Sequence, residues 1–200
     1  SGGMHSGIDI GEDVVSPYLW SRGLKQIDVL ALTHAHQDHL GGLPAILENF
    51  RVGELWVGRD IQNEAYQHIL AVAREHGARI VHRKQGESFD FGGVSGNILW
   101  PDNLDESKSA KNDDSLVMRL TDVSQSFLLA GDIERPSERT LLAEGQALDV
   151  NFLKVPHHGS KTSTTEPFLA AAHPAIAAIS VGRDNTFSHP SPEVIERLEA

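Results

Sequence analysis

The chain has 200 residues, enough for one domain with a core of its own, and an ordinary globular composition. Asp and Glu outnumber Lys and Arg by 28 to 17, a formal charge of −11 that argues against broad electrostatic capture of nucleic acid. Cysteine is absent, which excludes disulfides and thiolate metal sites, and no apolar run reaches the length of a membrane span or forms a cleavable signal.

Residues 1–12 are rich in glycine and read as loop. Residues 13–22 predict a short helix closed by Gly23, and residues 27–32 a short apolar strand buried between layers. That strand runs straight into Thr33-His34-Ala35-His36-Gln37-Asp38-His39. A helix at 43–50, with Pro44 in its first turn, precedes a strand at 54–57, an amphipathic helix at 63–76 and a strand at 79–83. Residues 89–100, interrupted by glycines, predict a hairpin, and 101–114 a polar, mobile loop. Strands at 115–121 and 126–130 lead to Gly131-Asp132-Ile133-Glu134. A helix at 137–143, a strand at 152–155 ending in Pro156-His157-His158-Gly159-Ser160, a strand at 175–181 and a helix at 192–198 complete the chain. Strands interleaved with helices indicate an α/β layered architecture. Three strand ends open into segments bearing His or Asp, and that recurrence predicts one convergent site.

Leaving an extended strand, residues two apart project to the same side, so His34 and His36 can grip one ion. A turn at Gln37 then lets Asp38 and His39 face a second ion, and Gly41 and Gly42 permit a tight path beyond. Four imidazole or carboxylate donors within six residues suit zinc, manganese or iron rather than calcium or magnesium. Asp132 follows another strand and, beside that cluster, is the natural bridge between two cations; alone, it is equally a turn or a helix N-cap. His157 and His158 are neighbours, which in extended chain point to opposite faces, so one of them is expected to reach metal. His158 is the preferred ligand, with His157 left to touch substrate or support the ligands. Ser160, Lys161 and Ser163 lie on a glycine-containing loop that could bind phosphate, or form an ordinary entry to a helix. His189 either faces the cleft or caps the last helix, and His5, His68, His76, His82 and His173 stand without such company.

The combination of His34-Ala35-His36-Gln37-Asp38-His39 with GDIE and HHGS resembles the metallo-β-lactamase superfamily. Residues 112–120 (NDDSLVMRL), 128–134 (LLAGDIE), 153–164 (LKVPHHGSKTST) and 179–198 (ISVGRDNTFSHPSPEVIERL) narrow the likeness to the C-terminal domain of the ComEC family, DNA-uptake channels of competent bacteria. The resemblance runs from about Ile8 to the end. It implies an αββα fold of two mixed sheets sandwiched between helices, without the first β-hairpin and last strand of the family. It implies two divalent ions, zinc or manganese, held by His34, His36, Asp38, His39, Asp132 and His158, with Asn185 and His189 near the scissile phosphate. The activity implied is hydrolysis of DNA, as a single strand, on the strand not transported during uptake. The place implied is the extracytoplasmic face of the cytoplasmic membrane, beside the channel portion of the same parent protein.

Three departures accompany this likeness. Many superfamily members place a further histidine ligand where this chain has Asn112-Asp113-Asp114-Ser115, so one metal keeps open positions unless Asp114 fills one. The family's opening GQGD-like motif is absent, with Ser1-Gly2-Gly3 as a remnant of the loop after it, and the chain stops within its last helix. For mechanism, Asp38 or Asp132 would orient the attacking water, and His189 or Lys161 would stabilise charge in the transition state. A small-phosphoester or ester hydrolase on the same scaffold, and a non-catalytic DNA-guiding module, remain the alternatives.

Overall fold

The computed structural model describes residues 7–200, so the readings of Ser1-Gly2-Gly3 and of His5 lie outside the described residues. The chain divides into two compact units. The first is the chain up to Arg83 together with Leu104–Lys111, and the second is Lys84–Asn103 with Asn112–Ala200.

In the first unit, a π-type turn at Gly11–Val15 continues into α1 (Ser16–Ser21), which Gly23 ends at a φ of +75°. Strands β1 (Gln26–Ala31), β2 (Arg51–Val57) and β3 (Arg79–His82) pair in that order, all parallel. The short helix α2 (Gln37–Leu40), α3 (Leu43–Asn49) and α4 (Glu64–Glu75) lie between them in sequence. This sheet is wholly parallel where a mixed one was expected, because among the described residues each strand is reached through a helical crossover. Helix α4 buries Tyr66, Ile69, Leu70 and Ala73, one stripe at helical spacing, while the Asn63 side chain accepts the Tyr66 N–H at 3.0 Å. The loop expected to be mobile is pinned in part. Ser107 forms a bridge with Ile61, its N–H reaches the Asp60 carbonyl at 2.9 Å, and its own carbonyl takes the Gln62 N–H at 3.0 Å.

The second unit opens with the hairpin of β4 (Ser88–Phe91) and β5 (Val94–Trp100). It continues through β6 (Val117–Thr121), β7 (Ser126–Leu129), β8 (Phe152–Lys154) and β9 (Ile176–Ala178), a mixed six-stranded sheet in sequence order. Helices α5 (Arg135–Ala143), α6 (Glu166–Ala172) and α7 (Pro192–Glu199) bury Leu141, Phe168 and Val194 with Leu128, Ile133, Leu153 and Val155 in a core of this unit's own. Strands β7 and β8 are parallel, with Leu129 opposite Lys154, so the segments beginning at Gly131 and Pro156 leave the sheet at the same end. Among the described residues no helix is long and apolar enough to cross a membrane.

Candidate metal centre

The first cluster grows directly from β1. The Leu32 N–H donates to the Trp56 carbonyl at 2.9 Å, extending the parallel ladder one residue beyond the strand and fixing where His34 emerges. His34 and Ala35 are buried, and His36 keeps extended backbone before α2 begins. His34 Nε2 and His36 Nδ1 then face each other at 3.0 Å, while Thr33 Oγ1 touches His34 Nδ1 at 3.2 Å and His39 Nδ1 at 3.1 Å. Asp38 Oδ2 lies 3.7 Å from His39 Nε2. His34, His36 and His39 thus lie side by side, and Asp38 neighbours His39. Just beyond, a Cβ on Gly42 would meet the Gly11 backbone nitrogen at 2.8 Å, so only glycine lets the two segments pass so closely.

The second cluster follows from the parallel pairing of β7 and β8. Asp132 is buried, and its N–H donates to the hydroxyl of fully buried Ser115 at 2.9 Å. The His157 N–H reaches the Gly131 carbonyl at 3.2 Å, which ties the two turns together. Extended chain was expected at His157 and His158, but both are left-handed, with φ of 46° and 54°. The turn still sends the two rings apart. His158 Nε2 lies 3.2 Å from Asp132 Oδ2, and Lys154 Nζ approaches Asp132 Oδ1 at 3.9 Å. His157 Nδ1 instead meets Glu134 Oε1 at 3.2 Å and Thr162 Oγ1 at 3.3 Å, and Asn112 Nδ2 stands 3.4 Å from its Nε2.

Divalent metals fit these donors. A carbonyl oxygen only accepts, so the Ala110 carbonyl at 3.2 Å places the proton of neutral His36 on Nε2 and leaves the Nδ1 lone pair facing His34. The Ser180 carbonyl, 2.6 Å from His158 Nδ1, likewise turns the Nε2 lone pair of that ring toward the Asp132 carboxylate. A lone pair and a carboxylate repel at that distance unless a proton or cation stands between them. Backbone carbonyls on the outer ring nitrogen are also the usual support of metal-ligating histidines.

The remaining expected residues divide. His189 stands edge-on to His157, with ring centroids 5.7 Å apart. Burial, and then the His157 and His158 imidazoles, hold its pKa below the ordinary histidine value against the opposing pull of Asp132, so it is neutral at neutral pH. Lys161 is exposed. Ser160 and Ser163 are buried: the Ser163 hydroxyl donates to the Pro156 and Ser160 carbonyls at 3.1 and 3.0 Å, and Ser160 Oγ pairs with Thr162 Oγ1 at 2.9 Å. The hydroxyls of these two serines bond within their own loop. Asn185 does the same for its own loop. Its Oδ1 accepts the His189 N–H at 2.9 Å and its Nδ2 donates to the Gly182 and His189 carbonyls at 2.9 and 2.7 Å.

Two residues were missed by the sequence reading. Glu134 stood in the quoted GDIE without a role, yet it orients His157 and accepts from the Thr162 hydroxyl. Asp113 accepts the Glu134 N–H at 2.8 Å through Oδ1, and its carbonyl takes the Trp100 indole N–H at 2.7 Å. Segment 112–115 thus supports both turns of this unit, and Asp114 within it is buried.

The comparisons with known proteins cover both clusters. ComE operon protein 3 of Bacillus subtilis (strain 168) is 35% identical over 95% of this chain and 24% of its own length. Recombination protein 2 of Haemophilus influenzae is 33% identical over 99% of this chain and 23% of its own. The chain thus spans about a quarter of the length of these curated relatives, which bear out the likeness to competence proteins. Among solved structures, CmlA, a diiron β-hydroxylase from Streptomyces venezuelae, has a TM-score of 0.55 at 17% identity, over 88% of this chain and 41% of that one, a likeness of fold. The metallo-β-lactamase superfamily profile matches residues 2–183. With that profile running through both ligand clusters, the chain belongs to the metallo-β-lactamase superfamily, whose fold implies a metal-dependent hydrolase.

Proposed function

We propose that this chain hydrolyses phosphodiester bonds in DNA, as a nuclease acting on the strand not transported during DNA uptake. His34, His36, Asp38, His39, Asp132 and His158 would be the ligands of two divalent ions, zinc or manganese. The observation that carries the reading is that relatives named for the ComE operon and for recombination match almost the whole chain, both donor clusters included. When bound, two such ions activate water and withdraw charge from phosphoryl oxygens.

The chain's own residues do the rest. The Asp38 or the Asp132 carboxylate accepts a hydrogen bond from the attacking water and orients it. The exposed Lys161 ammonium offers positive charge to a phosphate oxygen in an otherwise acidic chain. His189, neutral and set against His157, can hydrogen-bond the phosphate without the cost of charging a partly buried ring. His157, held at Nδ1 by Glu134 and with the Asn112 amide 3.4 Å from its Nε2, stands beside His189. We further propose that the parent polypeptide is a membrane protein whose channel portion delivers the strand to this segment on the extracytoplasmic side. The greater length of the relatives supports this.

Metal analysis, followed by cleavage assays on linear single- and double-stranded DNA with added manganese or zinc, tests the reading. Metal-dependent cleavage, lost in His39→Ala and in a folded Asp132→Asn, is the expected result. Cleavage of small phosphoesters alone would move the assignment to an ester hydrolase, which the net charge of −11 would suit. Neither activity would leave a DNA-guiding module.

A further inference from the structure

Residues 182–190 form a loop built around Asn185. Besides its bonds to Gly182 and His189, the Asn185 side chain accepts the Phe187 N–H through Oδ1 at 3.2 Å, which ties the backbone of Phe187 into the loop. The ring itself is 75% exposed. One side leans on the His189 imidazole, with centroids 5.9 Å apart and planes 23° from parallel. His189 in turn stands edge-on to His157. An aromatic ring is thus carried outward on the same short loop that carries the imidazole assigned to the phosphate.

The outward face of the ring is open to a ligand, and its π-system favours a flat partner. Its immediate neighbours, Thr186 and Ser188, are exposed and not apolar, so the ring does not belong to a broad apolar patch of the kind that docks another protein. A single open ring matches a single flat ligand. The charge of the chain points the same way. At −11, a polyanion gains little from the surface as a whole, so affinity for a nucleic acid strand has to come from contacts that do not depend on phosphate neutralisation. Stacking of bases on aromatic side chains is such a contact, and it tolerates any sequence because every base has a π-face.

We propose that Phe187 is a base-stacking platform, taking the nucleobase next to the phosphodiester that is cut. The inference rests on the nuclease reading and adds a nucleobase subsite to it. Stacking needs an unpaired base, so the platform favours single-stranded substrate or the frayed end of a duplex.

The test compares the intact protein with Phe187→Ala and Phe187→Trp in manganese. One substrate is a single-stranded oligonucleotide, and the other is the same length of backbone with its bases replaced by abasic residues. Binding of a hydrolysis-resistant phosphorothioate strand is followed in parallel by fluorescence anisotropy. The expected result is a loss in Phe187→Ala of about 5- to 50-fold in kcat/KM and in affinity on the base-bearing strand. On the abasic strand the change should be under about twofold, and Phe187→Trp should restore the loss on bases. Equal kcat/KM for Phe187→Ala and the parent on base-bearing DNA overturns the platform and leaves the nuclease reading standing. An equal loss on both strands also overturns it, because the ring would then be shaping the loop. A parent protein that neither binds nor cuts either strand overturns the reading and the platform together.

Discussion

His157 and His158 share one local conformation and have opposite surroundings. Two consecutive left-handed non-glycine residues cost roughly 1–2 kcal/mol each, a strain that is retained where it aims side chains. Here it turns His158 to Asp132 and His157 to Glu134. A different polar trio, Asp60, Tyr66 and His82, lies in the first unit and lends itself to a pH measurement. The Tyr66 hydroxyl donates to Asp60 Oδ1 at 2.7 Å, and His82 Nε2 stands 3.0 Å from the same oxygen. Burial pushes the Asp60 carboxyl up, but the His82 and Tyr66 hydrogen bonds and the His82 charge outweigh it and hold the pKa below the usual carboxylate range. A depressed folded pKa adds stability above the unfolded value, about 3.9, and that stability is lost as pH falls through the folded value. Asp60→Asn should therefore destabilise by on the order of 1 kcal/mol or less at pH 7, since half-exposure lets water compete. In urea denaturation the gap should narrow below about pH 4, where the parent carboxylate protonates. A gap of constant size down to pH 3 would show that the charge contributes nothing.

Helix α6 shows how one element depends on another. Its N-terminal N–H groups at Thr164 and Thr165 are satisfied by the two carboxylate oxygens of buried Glu138, which comes from α5. Burial raises the Glu138 pKa even though these donors and Arg197 oppose the rise, and Arg197 also binds the Ser163 and Thr164 carbonyls from α7. Replacing Glu138 with Ala leaves two N–H groups without their acceptor and should cost about 2–4 kcal/mol, read as a lower urea midpoint at unchanged slope. A change under about 0.5 kcal/mol would mean that water replaces the carboxylate. The same network explains why α6 escaped the sequence reading. Its apolar signal is two buried residues, Phe168 and Ala172, and Thr165 makes no side-chain cap of its own. By contrast α4 announces itself through a full buried stripe and the Asn63 cap, and β1 through the apolar residues that follow Asp28. The ligand segment from His34 to His39 was legible because all its donors sit within one stretch of chain. The Glu134–His157 contact was not, since it joins residues 23 apart through a left-handed turn that histidine does not advertise.

For the molecule as a whole, the net charge of −11 opposes compaction, and two divalent cations on carboxylate and imidazole donors would relieve part of that repulsion while binding the folded state alone. Linkage gives the size of the effect: at a hundredfold excess over Kd one bound ion stabilises by about 2.7 kcal/mol. For a chain of this length that corresponds to a rise in Tm of roughly 5–10 °C. Zinc or manganese added to chelator-treated protein should produce this rise, and EDTA should reverse it. Sodium chloride at matched ionic strength should produce little, because screening acts on all surface charges weakly while the donor clusters act on an ion directly. Asp132→Ala separates specific from diffuse binding, since it removes one carboxylate out of 28 acidic residues and hardly alters the overall charge. If the metal-induced rise survives that substitution in full, the cations stabilise by general neutralisation and Asp132 is no ligand. If most of the rise disappears while the metal-free Tm moves little, the stabilisation belongs to the site.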